Sequence, residues 1–488
     1  VNAETISQLY RERFADRSLI LVSNREPYIH RRTKHGIKVD TPAGGLTSAL
    51  DPVMRAIQGT WIAWGSGSAD KEVCDENGKV KVPPDDPAYT LKRVWLDQKE
   101  VDGFYYGYAN QALWPLSHML IEKARFRMRH WQRYFEVNRK FADSIIPEIK
   151  NDKDVIWIQD YHFTVLPYML RQRMRDLTIS LFWHIPWPPW EIFRVIPQRH
   201  EILKGMLGCD LIAFHINRYC QNFLETVEQE LDAIVDRRNN RISYEGHETR
   251  LIPLPISIDY DKFEDMTRHD KIQSKLSDIK KKLKLEGKYV GIGVDRLDYS
   301  KGIYERVQAI KLFLKKYPAY RERFTFIQIA VPSRTKIQEY SELKDLIEKI
   351  IDEINNEFGT DDWTPIIYYS TNVPHHELVN YYRIADMAIV SSIVDGMNLV
   401  AKEYIASQVD EKGVLILSEF VGAVAELDRA LIINPFDIEH FADMIRRGIE
   451  MPEAEKRRRM QKMRAYVQTH NIYDWINDNL KAVEKEIL

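Results

Sequence analysis

Short apolar runs, each closed by a polar residue and followed by a helix-forming stretch, recur along the chain in two series. Runs of this kind, bounded by turn residues, predict strands buried on both faces of a sheet. In the first series strands are predicted at residues 18–23, 61–64, 91–96, 155–158, 180–183 and 211–214. A helix opens at Pro42-Ala43-Gly44-Gly45-Leu46 and runs toward Gln58, and helices cover roughly residues 110–150. The stretch from Glu26 to Thr41 reads as a long polar loop. Asp160, His184 and His215 each stand at the carboxyl end of a predicted strand, where open α/β sheets bind ligands.

Residues 249–258 are extended and proline-punctuated and mark a boundary. A charged helical run at 271–288 then leads into a second series, with strands predicted at 290–294, 324–331, 366–369, 387–390, 414–417 and 431–433. Two successive βα series predict an α/β protein of two doubly wound domains with a cleft between them. The expected division is 1–255 and 256–470, with a terminal segment at 471–488.

Within the second series, the apolar run ending at Val390 meets Asp395-Gly396-Met397-Asn398 and then a helix-forming stretch from Leu399. Asn398 can cap that helix, whose first amides and positive dipole end form a ready anion site. Amides for a diphosphate, with Asp395 and Glu403 for hydroxyls, suit a sugar nucleotide. The same pattern also describes an ordinary βα unit with a solvated Asp and Glu. At the end of the first strand of this series, Arg296 and Lys301 fall in a strand-to-helix loop closed by Gly302. Two cations there could neutralise a leaving diphosphate without a metal. Gly291-Ile292-Gly293 lacks the third glycine of a dinucleotide fingerprint, which argues against a dehydrogenase.

Composition removes other classes. With 70 basic and 72 acidic residues among 488, the chain has no excess charge for a dedicated nucleic-acid or polybasic membrane binder. Cys74, Cys209 and Cys220 are scattered without a CxxC pair, so a disulfide scaffold or zinc ribbon is not expected and a reducing, cytoplasmic setting fits. No apolar run reaches the length of a membrane span, and a basic-then-apolar leader is absent from the N-terminal stretch. No metal and no cofactor are expected, and the sequence leaves a homo-oligomer open.

Arg296-Leu297-Asp298-Tyr299-Ser300-Lys301-Gly302 and Asp395-Gly396-Met397-Asn398-Leu399-Val400-Ala401-Lys402-Glu403-Tyr404 together resemble the trehalose-6-phosphate synthase family of retaining glycosyltransferases. The likeness extends, in family order, through Ser23-Asn24-Arg25, Ala43-Gly44-Gly45-Leu46, Leu113-Trp114-Pro115, Trp157-Ile158-Gln159-Asp160-Tyr161-His162, His184-Ile185-Pro186, Trp363-Thr364-Pro365 and Leu417-Ser418-Glu419-Phe420. The resemblance implies two facing Rossmann-like domains of the GT-B type, with the last helix crossing back to the first domain. It implies UDP-glucose as donor and glucose 6-phosphate as acceptor. On the donor side, Arg296 and Lys301 would hold the diphosphate, Leu399, Val400, Ala401, Lys402 and Glu403 would supply amides, and Glu403 would also take the ribose. Asp395 and His184 would contact the glucose, and Gly45 would lie over donor and acceptor. Arg25 and Arg334 would meet the acceptor phosphate, with Tyr105, Trp114 and Asp160 lining the acceptor sugar. Arg296, Lys301, Asp160 and His184 form the expected catalytic set, Asp160 as a sugar-binding carboxylate rather than a nucleophile.

The chain departs from the family pattern in a longer stretch between Glu26 and Thr41, in Val373 where an aromatic residue is expected near the base, and in Trp187 where Phe is common. Arg25-Glu26-Pro27-Tyr28 resembles the glucosylglycerol-phosphate synthase branch, which implies glycerol 3-phosphate as an alternative acceptor. A non-catalytic sugar-phosphate-binding subunit is the third reading, against which stands the presence of Arg296, Lys301, Asp395 and Glu403 together.

Overall fold

Strand β1 (Leu19–Arg25) is buried along all but its last residue, which explains its unbroken apolar start: both faces of its sheet are covered. The computed structural model describes residues 1–14, 16–41, 45–268 and 272–487. The chain divides into a first unit, Val1–Ile256 with Tyr473–Leu488, and a second, Ser257–Ile472.

The first unit contains β1, β2 (Ile29–Thr33), β3 (Gly36–Asp40), β4 (Thr60–Trp64), β5 (Lys79–Val82), β6 (Tyr89–Val94), β7 (Val155–Gln159), β8 (Thr178–Phe182), β9 (Leu211–Phe214), β10 (Ile234–Asp236), β11 (Arg241–Tyr244) and β12 (His247–Pro253). Among the described residues the main sheet has the order β10-β11-β12-β9-β8-β7-β1-β4-β6-β5. Its interior pairs, from β12 across to β6, are all parallel. The edges are antiparallel: β5 runs against β6, and β10 and β11 fold back on β12. Hydrophobic patterning does not reveal β5, β10 and β11, because they are short, at most partly buried over most of their length, and carry no continuous apolar run. The chain builds outward from β1 to β4 and β6, then returns to lay β7 on its other side. The topological switch point therefore lies between β1 and β7, where Arg25 and Asp160 emerge.

The expected loop from Glu26 to Thr41 is instead a hairpin, β2 paired with β3 around Lys34-His35. Its strands are mostly exposed and charged, so alternation of apolar and polar residues does not reveal them. The helical region begins earlier than expected, at Gln98, after a capping box between Asp97 and Glu100. It then widens into a π-helix, Asp102–Leu113. Gly103 and Gly107 allow the helix Met128–Ile145 to lie close: a Cβ on Gly107 would sit 2.6 Å from the His130 ring. Trp475, on the terminal helix Ile472–Ile487, packs against Trp157 and Phe182, and Arg250 pairs with Glu486 at 2.8 Å.

The base of the hairpin is tied down by a buried charge cluster. Arg93 Nε donates to Glu26 Oε2 at 2.6 Å, and its Nη2 lies 3.1 Å from Asp70 Oδ1. Asp70 also accepts from the His30 and Gly67 amides. One guanidinium serves two carboxylates, so the cluster retains a proton: burial and the adjoining Asp70 outweigh Arg93 and push Glu26 up to about 8. The folded state then binds this proton more tightly than the unfolded chain. Its stabilisation is complete below about pH 4.5 and is lost as pH rises to about 8. Glu26→Gln, which does not titrate, is expected to lack that loss. Melting temperatures of parent and variant across this range check the sign: the difference should move in the variant's favour as pH rises, and parallel curves would exclude a protonated Glu26.

The second unit contains β13 (Tyr289–Arg296), β14 (Phe324–Val331), β15 (Ile366–Tyr369), β16 (Met387–Val390), β17 (Val414–Ser418) and β18 (Leu431–Ile433). Among the described residues they form one all-parallel sheet in the order β15-β14-β13-β16-β17-β18. Phe313, Phe324, Phe326, Ile347, Ile354 and Ile445 belong to the core beneath its helices. Its switch point lies between β13 and β16, so the loops after these two strands are neighbours. No helix among the described residues is long and apolar enough to cross a membrane.

Candidate active site

In the second unit, β13 runs two residues further than expected, so Arg296 is its last residue and not part of the following loop. A single 3₁₀ turn, Tyr299–Lys301, then leads through Gly302 into the helix Ile303–Lys316. Gly302 is required twice over. Its φ is +60°, and a Cβ there would lie 1.9 Å from the Ser391 carbonyl oxygen. Ser391 Oγ donates to the Gly302 carbonyl, and the Ile393 amide to the Ser300 carbonyl, which locks the loop after β13 onto the loop after β16. Beneath both loops the fully buried Arg306 joins Asp295 at 2.5 Å and Ser391 Oγ at 3.0 Å.

This locking carries Lys301 to Asp395: Nζ lies 2.5 Å from Oδ2 in a largely enclosed ion pair. The same oxygen accepts from Asn398 Nδ2 at 3.1 Å and Ser392 Oγ at 3.4 Å. Asn398 caps the helix Leu399–Ser407 as expected, its Oδ1 accepting from the Ala401 amide at 3.2 Å. That bond bears on the expected amide cradle. Ala401 is occupied by the cap, and the amides of Lys402 and Glu403 fall where helical N–H groups bond to carbonyls four residues back. The N-terminal amides left to meet an anion are those of Leu399 and Val400. The Lys402 side chain is buried against Glu426 at 2.7 Å. Glu403 Oε2 accepts from Tyr382 at 2.9 Å, which orients its carboxylate.

Arg334 is buried, with Nη1 2.5 Å from the Tyr340 hydroxyl and 3.2 Å from Asp298 Oδ2. Asp298 also takes both the amide and the hydroxyl of Ser300. Burial alone would raise its pKa, but Arg334, Arg296 and Lys301 hold it down to about 2.

In the first unit, Arg25 Nη2 donates to the Tyr105 hydroxyl at 2.8 Å. The π-helix presents Tyr105 there, stacked on His162 and beside Trp64. Trp114 is buried among Tyr161 and His118, so its indole face belongs largely to the core. Asp160 has φ 73° and ψ 177°, a region otherwise reserved for glycine. Its amide bonds to the Phe182 carbonyl at 2.7 Å, and its Oδ1 accepts from the His184 amide at 3.1 Å. His184 lies against Phe182, His215 and Trp475, with Nε2 2.9 Å from Gln159 Oε1. Desolvation first, and His215 second, lower its pKa well below the usual value, so it is a neutral hydrogen-bonding ring. Gly45 is the first residue of the helix Gly45–Ile57, and Gly44 lies outside the described residues.

Asp160, Arg334 and Asn398 all have positive φ, although none is glycine. Strain of this kind collects at functional sites. Several participants escaped the sequence reading. Asn24, 3 % exposed, has neither side-chain amide atom hydrogen-bonded among the described residues, and stands at the β1/β7 switch point. Asp298 is signalled by the Asp-x-Ser turn it makes with Ser300, whereas Tyr340 and Tyr382 come from distant helices and have no local signal.

A doubly wound sheet whose switch point brings a strand-end arginine and a loop lysine to a helix N-terminus, in a chain that also carries another Rossmann-like unit, is the build of a nucleotide-sugar glycosyltransferase. The chain belongs to glycosyltransferase family 20, which it matches over residues 17–485. It is 36% identical over 473 residues to the UDP-forming alpha,alpha-trehalose-phosphate synthase of Candida albicans, covering 96% of this chain and 97% of that protein. The synthase from Burkholderia xenovorans in complex with glucose-6-phosphate superposes with a TM-score of 0.86 at 29% identity, over 96% of this chain and all of that one. An E. coli structure with UDP-2-fluoro glucose bound gives 0.86 at 30% identity, over 96% and 99%.

Proposed function

We propose that this protein transfers glucose from UDP-glucose to glucose 6-phosphate, forming α,α-trehalose 6-phosphate and UDP with the anomeric configuration retained. The observation that carries this reading is the Lys301–Asp395–Asn398 junction, which sets an ammonium group beside the helix bearing the Leu399 and Val400 amides. Arg296, Lys301 and the two amides are assigned to the diphosphate, Glu403 to the ribose, and Asp395 and His184 to the glucose. Gly45 is assigned a place over both substrates. Arg25 and Arg334 are assigned to the acceptor phosphate, and Tyr105, Trp114 and Asp160 to the acceptor sugar. The bond from the glucose anomeric carbon to the diphosphate breaks and a bond to the acceptor oxygen forms. The departing phosphate oxygen takes the acceptor's proton on the same face, so no protein nucleophile is needed. The cations and amides stabilise the charge that grows on the leaving group.

Glycerol 3-phosphate as acceptor is disfavoured by the placement of the residues that suggested it. Glu26 is committed to Arg93, and the Tyr28 hydroxyl to Asp51 and Arg55. A product assay with UDP-glucose and a panel of phosphorylated acceptors tests the proposal. Glucose 6-phosphate is expected to be the best acceptor, with free glucose poor because it offers no anion to Arg25 and Arg334. Arg25→Ala is expected to raise the acceptor KM while sparing UDP binding. A parent that prefers glycerol 3-phosphate would overturn the acceptor assignment.

A further inference from the structure

The reaction just proposed gives no part to Asp298, yet this carboxylate pairs with Arg334 and lies within the electrostatic reach of Arg296 and Lys301. It is fully buried. Oδ1 accepts from the Ser300 amide at 3.0 Å and the Ser300 hydroxyl at 2.8 Å, which shapes the turn that delivers Lys301. The Lys301 amide in turn donates to the Asp298 carbonyl at 3.1 Å. Oδ2 accepts from Arg334 Nη1 at 3.2 Å and from the Tyr340 hydroxyl at 3.3 Å, while Tyr340 also receives Arg334 Nη1. Arg296, Lys301 and Arg334 all act electrostatically on the group, which stays ionised despite its burial.

We propose that Asp298 is a positioning residue that serves both substrates: it directs the Arg334 guanidinium toward the acceptor and offsets part of the cationic charge that faces the donor diphosphate. The inference rests on the functional reading above. Its physical basis is a charge count. Arg296, Lys301 and Arg334 contribute three positive charges, against which the structure sets Asp298 and Asp395, with Glu403 one turn along the helix that Asn398 caps. A site left more positive would hold the released diphosphate more tightly, and slow product departure would then limit turnover. The guanidinium needs its own anchor, because a planar fork recognises phosphate only when correctly aimed. Tyr340 completes that anchor from the helix Gln338–Phe358.

Asp298→Asn keeps the size and the acceptor for Ser300 but removes the charge. The variant is expected to bind UDP about 3- to 10-fold more tightly in calorimetry, the direction required by removing one nearby negative charge. In the same variant the KM for glucose 6-phosphate should rise about 10-fold or more, as for a lost charge-assisted contact to an arginine. A merely structural role predicts the opposite for UDP, since a collapsed turn would misplace Lys301 and weaken binding. Weaker UDP binding, or unchanged values for both quantities, would overturn the proposal. If Asp298→Asn does not fold, Tyr340→Phe carries the test: it should raise the acceptor KM several-fold with UDP affinity unchanged, and an unaltered KM would sink the idea. UDP calorimetry does not depend on which acceptor is used. A parent that ignores glucose 6-phosphate would therefore refute the functional reading and leave the charge effect on UDP to be judged separately.

Discussion

Lys301→Ala is expected to lower turnover by about 10²- to 10³-fold, the usual cost of removing one preorganised charge-stabilising donor. The donor already carries its diphosphate charge when it binds, and further charge develops as the glycosidic bond breaks. Lys301 should thus matter more to the transition state than to the ground state, and the loss should fall on kcat more than on the KM for UDP-glucose. The structure adds a second consequence. Lys301 is paired with Asp395 at 2.5 Å, so the alanine variant also leaves that carboxylate without its cation. Lys301→Arg keeps the charge and should recover part of the rate, though less than all of it, because the fork is longer and differently directed. Glu403→Ala is the contrast. Its carboxylate is held by Tyr382 and assigned to the ribose, whose contacts do not change during bond cleavage, so its effect should fall on donor binding. Steady-state kinetics with UDP-glucose varied at saturating acceptor decide the matter. A pure binding defect for Lys301→Ala with a pure rate defect for Glu403→Ala would reverse the two roles.

Replacing Asp160 should separate activity from stability. The residue is held at φ 73° and ψ 177°, and backbone forced into that region costs about 1–3 kcal/mol in a non-glycine residue. Asp160→Gly and Asp160→Ala both delete the carboxylate and its bond to the His184 amide, but only glycine relieves the strain. The glycine variant is therefore expected to be the more stable of the two by about 1–3 kcal/mol in chemical denaturation. Both should lose about 10²-fold or more in acceptor-dependent turnover, as for a misplaced acceptor, with UDP binding retained. Equal stability of the two variants would show that the backbone is not strained. Normal turnover in either would remove Asp160 from the site.

What could be read directly from the chain was whatever depends on near neighbours. The strands Phe324–Val331, Ile366–Tyr369, Met387–Val390 and Leu431–Ile433 lie where their apolar runs predict, because a strand covered on both faces must be continuously apolar. The Asn398 cap is equally local, since its partner is the amide three residues on. The positions of the polar residues at strand ends follow from the same periodicity. The tertiary structure decided which of those residues meet. Lys301 and Asp395 stand 94 positions apart and Asp298 and Arg334 stand 36 apart. They touch because the sheet places β13 between β14 and β16, an order that no local pattern encodes. The cap that was legible in the sequence engages the Ala401 amide, and the tertiary structure buries the Lys402 side chain against Glu426. The hairpin after β1, the antiparallel edges and the π-helix carrying Tyr105 were likewise invisible in advance. The hairpin and the antiparallel edges pair residues close in sequence, but their strands carry no continuous apolar run, and hydrophobic periodicity reports only which face a residue turns to the core, not what it finds there.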